Sequence, residues 1–234
     1  MNVCLGVLGL VCTVMGVGSF LLAGEASQAI NSMPLFRWLR EATFDISWWL
    51  WLTVVLLGLL VANTVCCSFE TLRLRWRRTG MVALLAPQLM HAGFLLIVLA
   101  HVQSASGAFQ QQLELHEGQL ARLPDGRMFG LAAVRTVFAP QGMPVGYSGE
   151  LVVNLQDPAQ RVTISPNHPW FCGGYGVYIK HAEEFPYRRA LLEIHREPGA
   201  GTALAGVMLF SCGMVALLHR RSRGDDMHAG EADL

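Results

Sequence analysis

Two histidines stand in the stretch "PQLMHAGFLLIVLAH", His91 and His101, in a run that is otherwise almost wholly apolar. Neutral imidazole is the commonest protein ligand for metals, and haem iron takes it axially. Lipid offers a ring nitrogen no partner, so a histidine inside a span is costly and by default marks function. His91 has two readings: an axial-ligand candidate, or a ring hydrogen-bonded to Gln88 or to a carbonyl of another helix. Ten residues separate it from His101, ~15 Å along a helix. That is too far to share one ion but compatible with a second site, as in a di-haem membrane cytochrome. His101 also fits an interfacial ring in contact with water or headgroups. Gly93, between them, permits the close approach of a flat macrocycle or of a partner helix.

The elements that must position these rings are membrane spans. The chain has 234 residues, 53% of them apolar and 15% charged, against ~25% charged in ordinary soluble domains. Four uncharged or nearly uncharged runs, about 3–23, 47–67, 81–103 and 200–219, are each long enough to cross a ~30 Å hydrocarbon core. The first is too long and lacks the basic start of a signal peptide, so it counts as a helix. Pro87 suits the first turn of the third helix, which would put His91 one turn inside. If that helix begins at Met81, His91 lies nearer its middle.

Arginine in the short connections sets the expected orientation. "RLRWRR" contributes Arg73, Arg75, Arg77 and Arg78 after the second run, and Arg220, Arg221 and Arg223 follow the fourth. Both segments belong inside, which puts both termini in the cytoplasm and 104–199 on the outer side of the membrane. Arg37 and Arg40 of the first connection are offset by Glu25, Glu41 and Asp45. Trp48, Trp49 and Trp51 read as an aromatic belt at the outer rim of the second helix. The zero formal net charge gives no reason to expect nucleic acid.

The outer segment alternates with strand period in "FQQQLELHEG", "MFGLAAVRTVFA", "GELVVNLQ", "QRVTIS", "YGVYIKHAEEF" and "RALLEIHRE", separated by turns such as "PDG" and "PNHP". The expectation is an all-β domain of six or seven strands, a sandwich or partly open barrel, inserted between the third and fourth transmembrane helices. The segment 220–234 reads as a cytoplasmic tail, disordered from Ser222 to Leu234. Cys172 is the only cysteine of the outer domain, so no disulfide forms within it and the expectation is a buried free thiol. Cys66 and Cys67 point in different directions on a helix and make a poor metal pair. His116, His168, His181 and His195 have no ligand spacing and read as solvated. No nucleophile elbow, phosphate loop or dinucleotide fingerprint is present, so catalytic residues remain unknown.

The order of motifs resembles the ResB/CcsB family of cytochrome c biogenesis (system II). In "HAGFLLIVLAHVQSASGAFQQQLELHEGQ", His91 matches the family's third-helix histidine and Glu117-Gly118 its strand-ending E-G. In "SPNHPWFCGGYGVYIKHAEEFPYRRALLEIHREPG", Asn167, Pro169, Gly173 and Tyr178 match N-x-P…G…Y, and Pro198-Gly199 the P-G before the last helix. "AGEASQ" stands where the family often has G-T, Ile179 replaces the glutamine that commonly follows the tyrosine, and the outer domain is short.

The resemblance implies a subunit that acts with a CcsA/ResC-type partner as part of a haem lyase complex. It would carry haem b across the membrane and support its attachment to apocytochrome c, with thiol-reducing proteins of the same pathway as further partners. His91 would supply one axial ligand and the partner the other. The competing readings are a subunit of a b-type di-haem quinone oxidoreductase and a structural membrane subunit without cofactor.

Overall fold

The computed structural model describes residues 2–21, 30, 33–75, 80–157 and 159–232. Arg77, Arg78, Glu25 and the stretch "AGEASQ" lie outside the described residues. The chain forms two compact units, one holding the long helices and the other Gly107–Glu197. The helices are α1 (Asn2–Leu21), α2 (Leu35–Glu41), α3 (Phe44–Arg75), α4 (Met81–Gly107) and α5 (Ala200–Ala232). Four helical segments, Cys4–Leu21, Phe44–Leu74, Met81–Gly107 and Ala200–Arg220, are long and apolar enough to cross a membrane.

Within these helices the hydroxyls turn inward on their own backbone. Thr13, Ser19, Ser47, Thr53, Thr64 and Ser106 each donate to the carbonyl four residues back, which satisfies an O–H that lipid would leave bare. The aromatic belt needs correction at Trp49, which is buried. Its indole fills the space where Gly18 of α1 lacks a Cβ, and its Nε1 donates to the Ile46 carbonyl at 2.9 Å. Neighbours on a helix are ~100° apart, so three tryptophans in four residues cannot all face outward.

α4 starts at Met81, where the third run begins, and contains Pro87, so of the two alternatives the proline falls in its second turn and His91 well inside. The ring removes one backbone hydrogen bond, a loss that helices packed in a membrane absorb. At the other end, α5 continues to Ala232 where the composition suggests a disordered tail. Gly224 and Gly230 are the only strong breakers there, and no proline interrupts the run.

The β unit contains two separate four-stranded antiparallel sheets. One has the order β1-β8-β7-β6 and the other β2-β3-β4-β5. Their ranges are β1 (Phe109–His116), β2 (Leu120–Arg122), β3 (Met128–Phe138), β4 (Pro144–Val152), β5 (Arg161–Ile164), β6 (Trp170–Cys172), β7 (Tyr175–Glu183) and β8 (Arg189–Arg196). The domain is therefore the sandwich of the two alternatives, with eight strands. β2 and β6 are three residues long, too short for a period of two to show. Phe129, Leu131, Leu151 and Ile164 of one sheet share a core with Val177, Ile179, Leu192 and Ile194 of the other. Each such side chain contributes ~1.5–3 kcal/mol relative to exposure.

The Glu117-Gly118 pair acts at the corner where β1 hands over to the second sheet. Glu117 Oε1 accepts from the Val134 amide at 2.7 Å, just past the bulge between Leu131 and Ala133. Its other oxygen meets Arg188 Nη1 at 3.4 Å. Gly118 turns the chain at φ 86°, a region that costs a side chain.

Candidate functional site

α4 carries two buried faces. On one, Ala86, Gly93 and Ala100 recur every seven residues and meet, in antiparallel order, Gly213 and Gly206 of α5 and Gly199 just before it. A Cβ at Gly93 would lie 2.6 Å from both Gly206 O and Phe210 N, and one at Gly206 would lie 2.8 Å from Gly93 O. Small residues let the two backbones touch, which is how helices gain contact energy where lipid removes the hydrophobic drive. The close approach that Gly93 permits is thus taken by a partner helix. Two residues along an α-helix is ~200° of rotation, so His91 lies on the far side of α4 from this seam.

There it meets α3. Ser68 Oγ and His91 Nδ1 are 2.7 Å apart, a bond between helices that spans 23 positions of sequence. The ring is half-buried, and Nε2 makes no hydrogen bond among the described residues. Gln88 Nε2, one turn away, is buried and unpartnered, so Gln88 is not what satisfies His91. Sequence reading missed Ser68, which closes "CCSF" near the cytoplasmic end expected for the second span. A serine there is unremarkable until the fold brings it to a histidine.

His101 is differently placed. Its ring is exposed and its Nδ1 donates to the Ile97 carbonyl of its own helix at 2.8 Å. A carbonyl only accepts, so Nδ1 holds the proton and Nε2 is bare. Both histidines therefore have one nitrogen engaged and one available, the arrangement that orients imidazole ligands in metal sites. No cluster of three or more His, Cys, Asp or Glu occurs among the described residues.

In the β unit, Arg127 Nη1 donates to Cys172 Sγ while its Nη2 pairs with Asp125 at 2.8 Å. Cys172 is half-buried and free. The most buried charge is Glu193, which accepts from Gln110 at 2.9 Å, Gln112 at 3.2 Å and Lys180 at 3.1 Å. Burial pushes its carboxyl up, but these hydrogen bonds together outweigh burial and hold it below the ordinary carboxylate range. Glu183 is also held low, chiefly by the hydrogen bond from Arg189, and Glu114 and Glu183 raise Arg189 in return. Of the motif residues, Tyr178 stands between the rings of Phe171 and His195 at 6.1 and 6.4 Å. His116 lies beside the Tyr187 ring, His168 near Ser165 Oγ, and His181 near Glu183 and the Tyr147 ring.

No family model matches the chain, and no curated protein does. Among solved structures it is similar to "Cytochrome c Heme Lyase CcmF", with 14% identity and a TM-score of 0.43, over 90% of this chain and 34% of that one. The chain thus spans about a third of that protein's length. At that TM-score and identity the likeness carries no argument about function.

Proposed function

We propose that the chain is a membrane subunit of system II cytochrome c biogenesis, of the ResB/CcsB kind. It works with a CcsA/ResC-type partner to carry haem outward and to support its attachment to apocytochrome c, as the non-catalytic part of a haem lyase complex. The observation that supports this best is His91, held by Ser68 at 2.7 Å within a helix long enough to span a membrane. The motif resemblance adds to it. Haem b, when bound, supplies an iron whose axial positions accept imidazole and which two such ligands hold low-spin.

His91 ligates through Nε2, since Nδ1 is engaged by Ser68. Among the described residues no second ligand stands beside His91, and by the resemblance the other would come from the partner. Gly93 and Gly206 fix the back of α4 against α5 and so fix the depth of the ring. The four helices cross the bacterial cytoplasmic membrane with both termini inside, and the β domain lies outside. There it supports the outer haem site and the arriving apocytochrome, within reach of thiol-reducing proteins of the pathway. One observation favours a second reading, a b-type di-haem quinone oxidoreductase subunit: with Nδ1 on the Ile97 carbonyl, His101 presents a bare Nε2.

The test is co-expression with a CcsA-type partner, followed by the absorbance spectrum of the purified pair and the yield of matured cytochrome c. His91→Ala should strip the membrane haem and abolish maturation, and His91→Gly with added imidazole should partly restore both. His101→Ala should be milder. Full haem content and normal yield in His91→Ala would end the ligand assignment. Two haems per complex, one lost with each histidine, would establish the di-haem reading.

A further inference from the structure

Ser68 is the exception among the membrane-helix hydroxyls. The six others with a hydrogen bond described give their proton to the carbonyl four residues back. Ser68 instead reaches across to His91 Nδ1 at 2.7 Å, and among the described residues it has no other hydrogen-bond partner. Either group can be the donor in this bond, since a hydroxyl both donates and accepts. When Ser68 donates to Nδ1, the ring proton sits on Nε2.

That tautomer cannot ligate iron. To act as an axial ligand, His91 must bare Nε2 and carry its proton on Nδ1. The ring stays neutral: Nε2 gives its proton to water and Nδ1 takes one from water, so Ser68 keeps its own. The same bond then runs the other way, with Ser68 Oγ as acceptor, which a hydroxyl allows and a carbonyl or carboxylate does not reverse. His101 shows the contrast, since the Ile97 carbonyl fixes its proton on Nδ1 permanently.

We infer that Ser68 is the positioning residue of His91, a two-way hydrogen-bond partner that steadies the ring in both tautomers and so lets it take up and release a haem iron. This rests on the proposed function for the haem and on the Ser68–His91 geometry for the mechanism. An acceptor-only partner would favour a resident cofactor. A reversible one suits a ligand to cargo.

Two measurements separate the layers. The first is nitrogen NMR of histidine-labelled, haem-free chain in detergent, with His91→Ala used to assign the signal. Wild type should show His91 Nδ1 shifted by a hydrogen bond. Ser68→Ala should lose the hydrogen-bond shift and Ser68→Thr should keep it. The second is haem loss to apomyoglobin from the chain co-purified with its CcsA-type partner. Removing a partner of a metal-ligating histidine costs ~10–100-fold in affinity, so Ser68→Ala should release haem at least about tenfold faster, with Ser68→Thr close to wild type. Wild-type release from Ser68→Ala, or an Nδ1 signal that Ser68→Ala leaves unchanged in the haem-free chain, overturns the inference. Full haem on His91→Ala overturns the proposed function beneath it, and the nitrogen spectrum still decides the Ser68 bond.

Discussion

Replacing Gly93 by alanine places one methyl group where the structure has none to spare. Its neighbours would be Gly206 O and Phe210 N at 2.6 Å and Phe210 Cβ at 2.8 Å. Two of the three are backbone, so no rotamer change relieves the clash. Ordinary contact begins near 3.4 Å, so α4 and α5 must part locally by roughly 0.8 Å, which also loosens the pairs a heptad away. Overpacking of this kind costs ~1–3 kcal/mol, while alanine gains up to ~1 kcal/mol over glycine in helix propensity. The net expectation is a loss of ~1–2 kcal/mol. Gly58 is the control, because a Cβ there meets nothing within 4 Å, and its alanine variant should be neutral or slightly stabilised. The assay is unfolding of the purified haem-free chain in mild detergent, followed by circular dichroism. Equal midpoints for Gly93→Ala and Gly58→Ala would refute the seam, and a Gly93→Ala defect seen only with haem bound would return this glycine to the macrocycle.

Other expectations follow from the same geometry. Gly206→Ala should be destabilised like Gly93→Ala, since its Cβ would lie 2.8 Å from Gly93 O, checked in the same titration. Glu193→Gln should cost the β unit ~1–2 kcal/mol near neutral pH by weakening charge-assisted hydrogen bonds. Because the folded carboxyl is held below its unfolded value, its contribution is present above ~pH 4.3 and lost as pH falls through the folded value. The variant's stability should therefore fall less steeply in acid than wild type, measured as urea midpoints against pH. Reporter fusions after Arg221 and near Asp157 should report opposite sides of the membrane, and a cytoplasmic signal near Asp157 would reverse the proposed topology.

Long periodic features were legible and short or distant ones were not. The four apolar runs appear as four helices of membrane-crossing length because hydropathy over ~20 residues is a strong signal. The six longer strands were visible in their alternation, whereas β2 and β6 take their place from neighbours: Leu120 pairs with Gly130 and Trp170 with Val177. Pro87 misled because a proline usually marks a first turn, yet α4 begins six residues earlier, at Met81. Trp49 misled because belt composition says nothing of which indole finds a glycine on another helix. Ser68 could not be found at all without the fold, since its meaning lies in a partner 23 residues away.

One relation was present in the sequence all along. On a helix of 3.6 residues per turn, Ala86, Gly93 and Ala100 fall within ~20° of one line, while His91 falls ~160° away from it. A single element cannot use Gly93 and His91 to hold opposite edges of the same flat ligand. It can use the glycine line to fix itself against α5 and the opposite face to present an imidazole toward α3, which is what Ser68 and the buried Leu84 show. His101, about 80° off the glycine line, belongs to neither buried face and is exposed. α4 is therefore clamped on one side and chemically open on the other. The place of α4 against α5 is set by glycine packing, so if His91 is the proposed ligand, Gly93→Ala should disturb it only through the helix, and Ser68→Ala should disturb it while the helix stays in place.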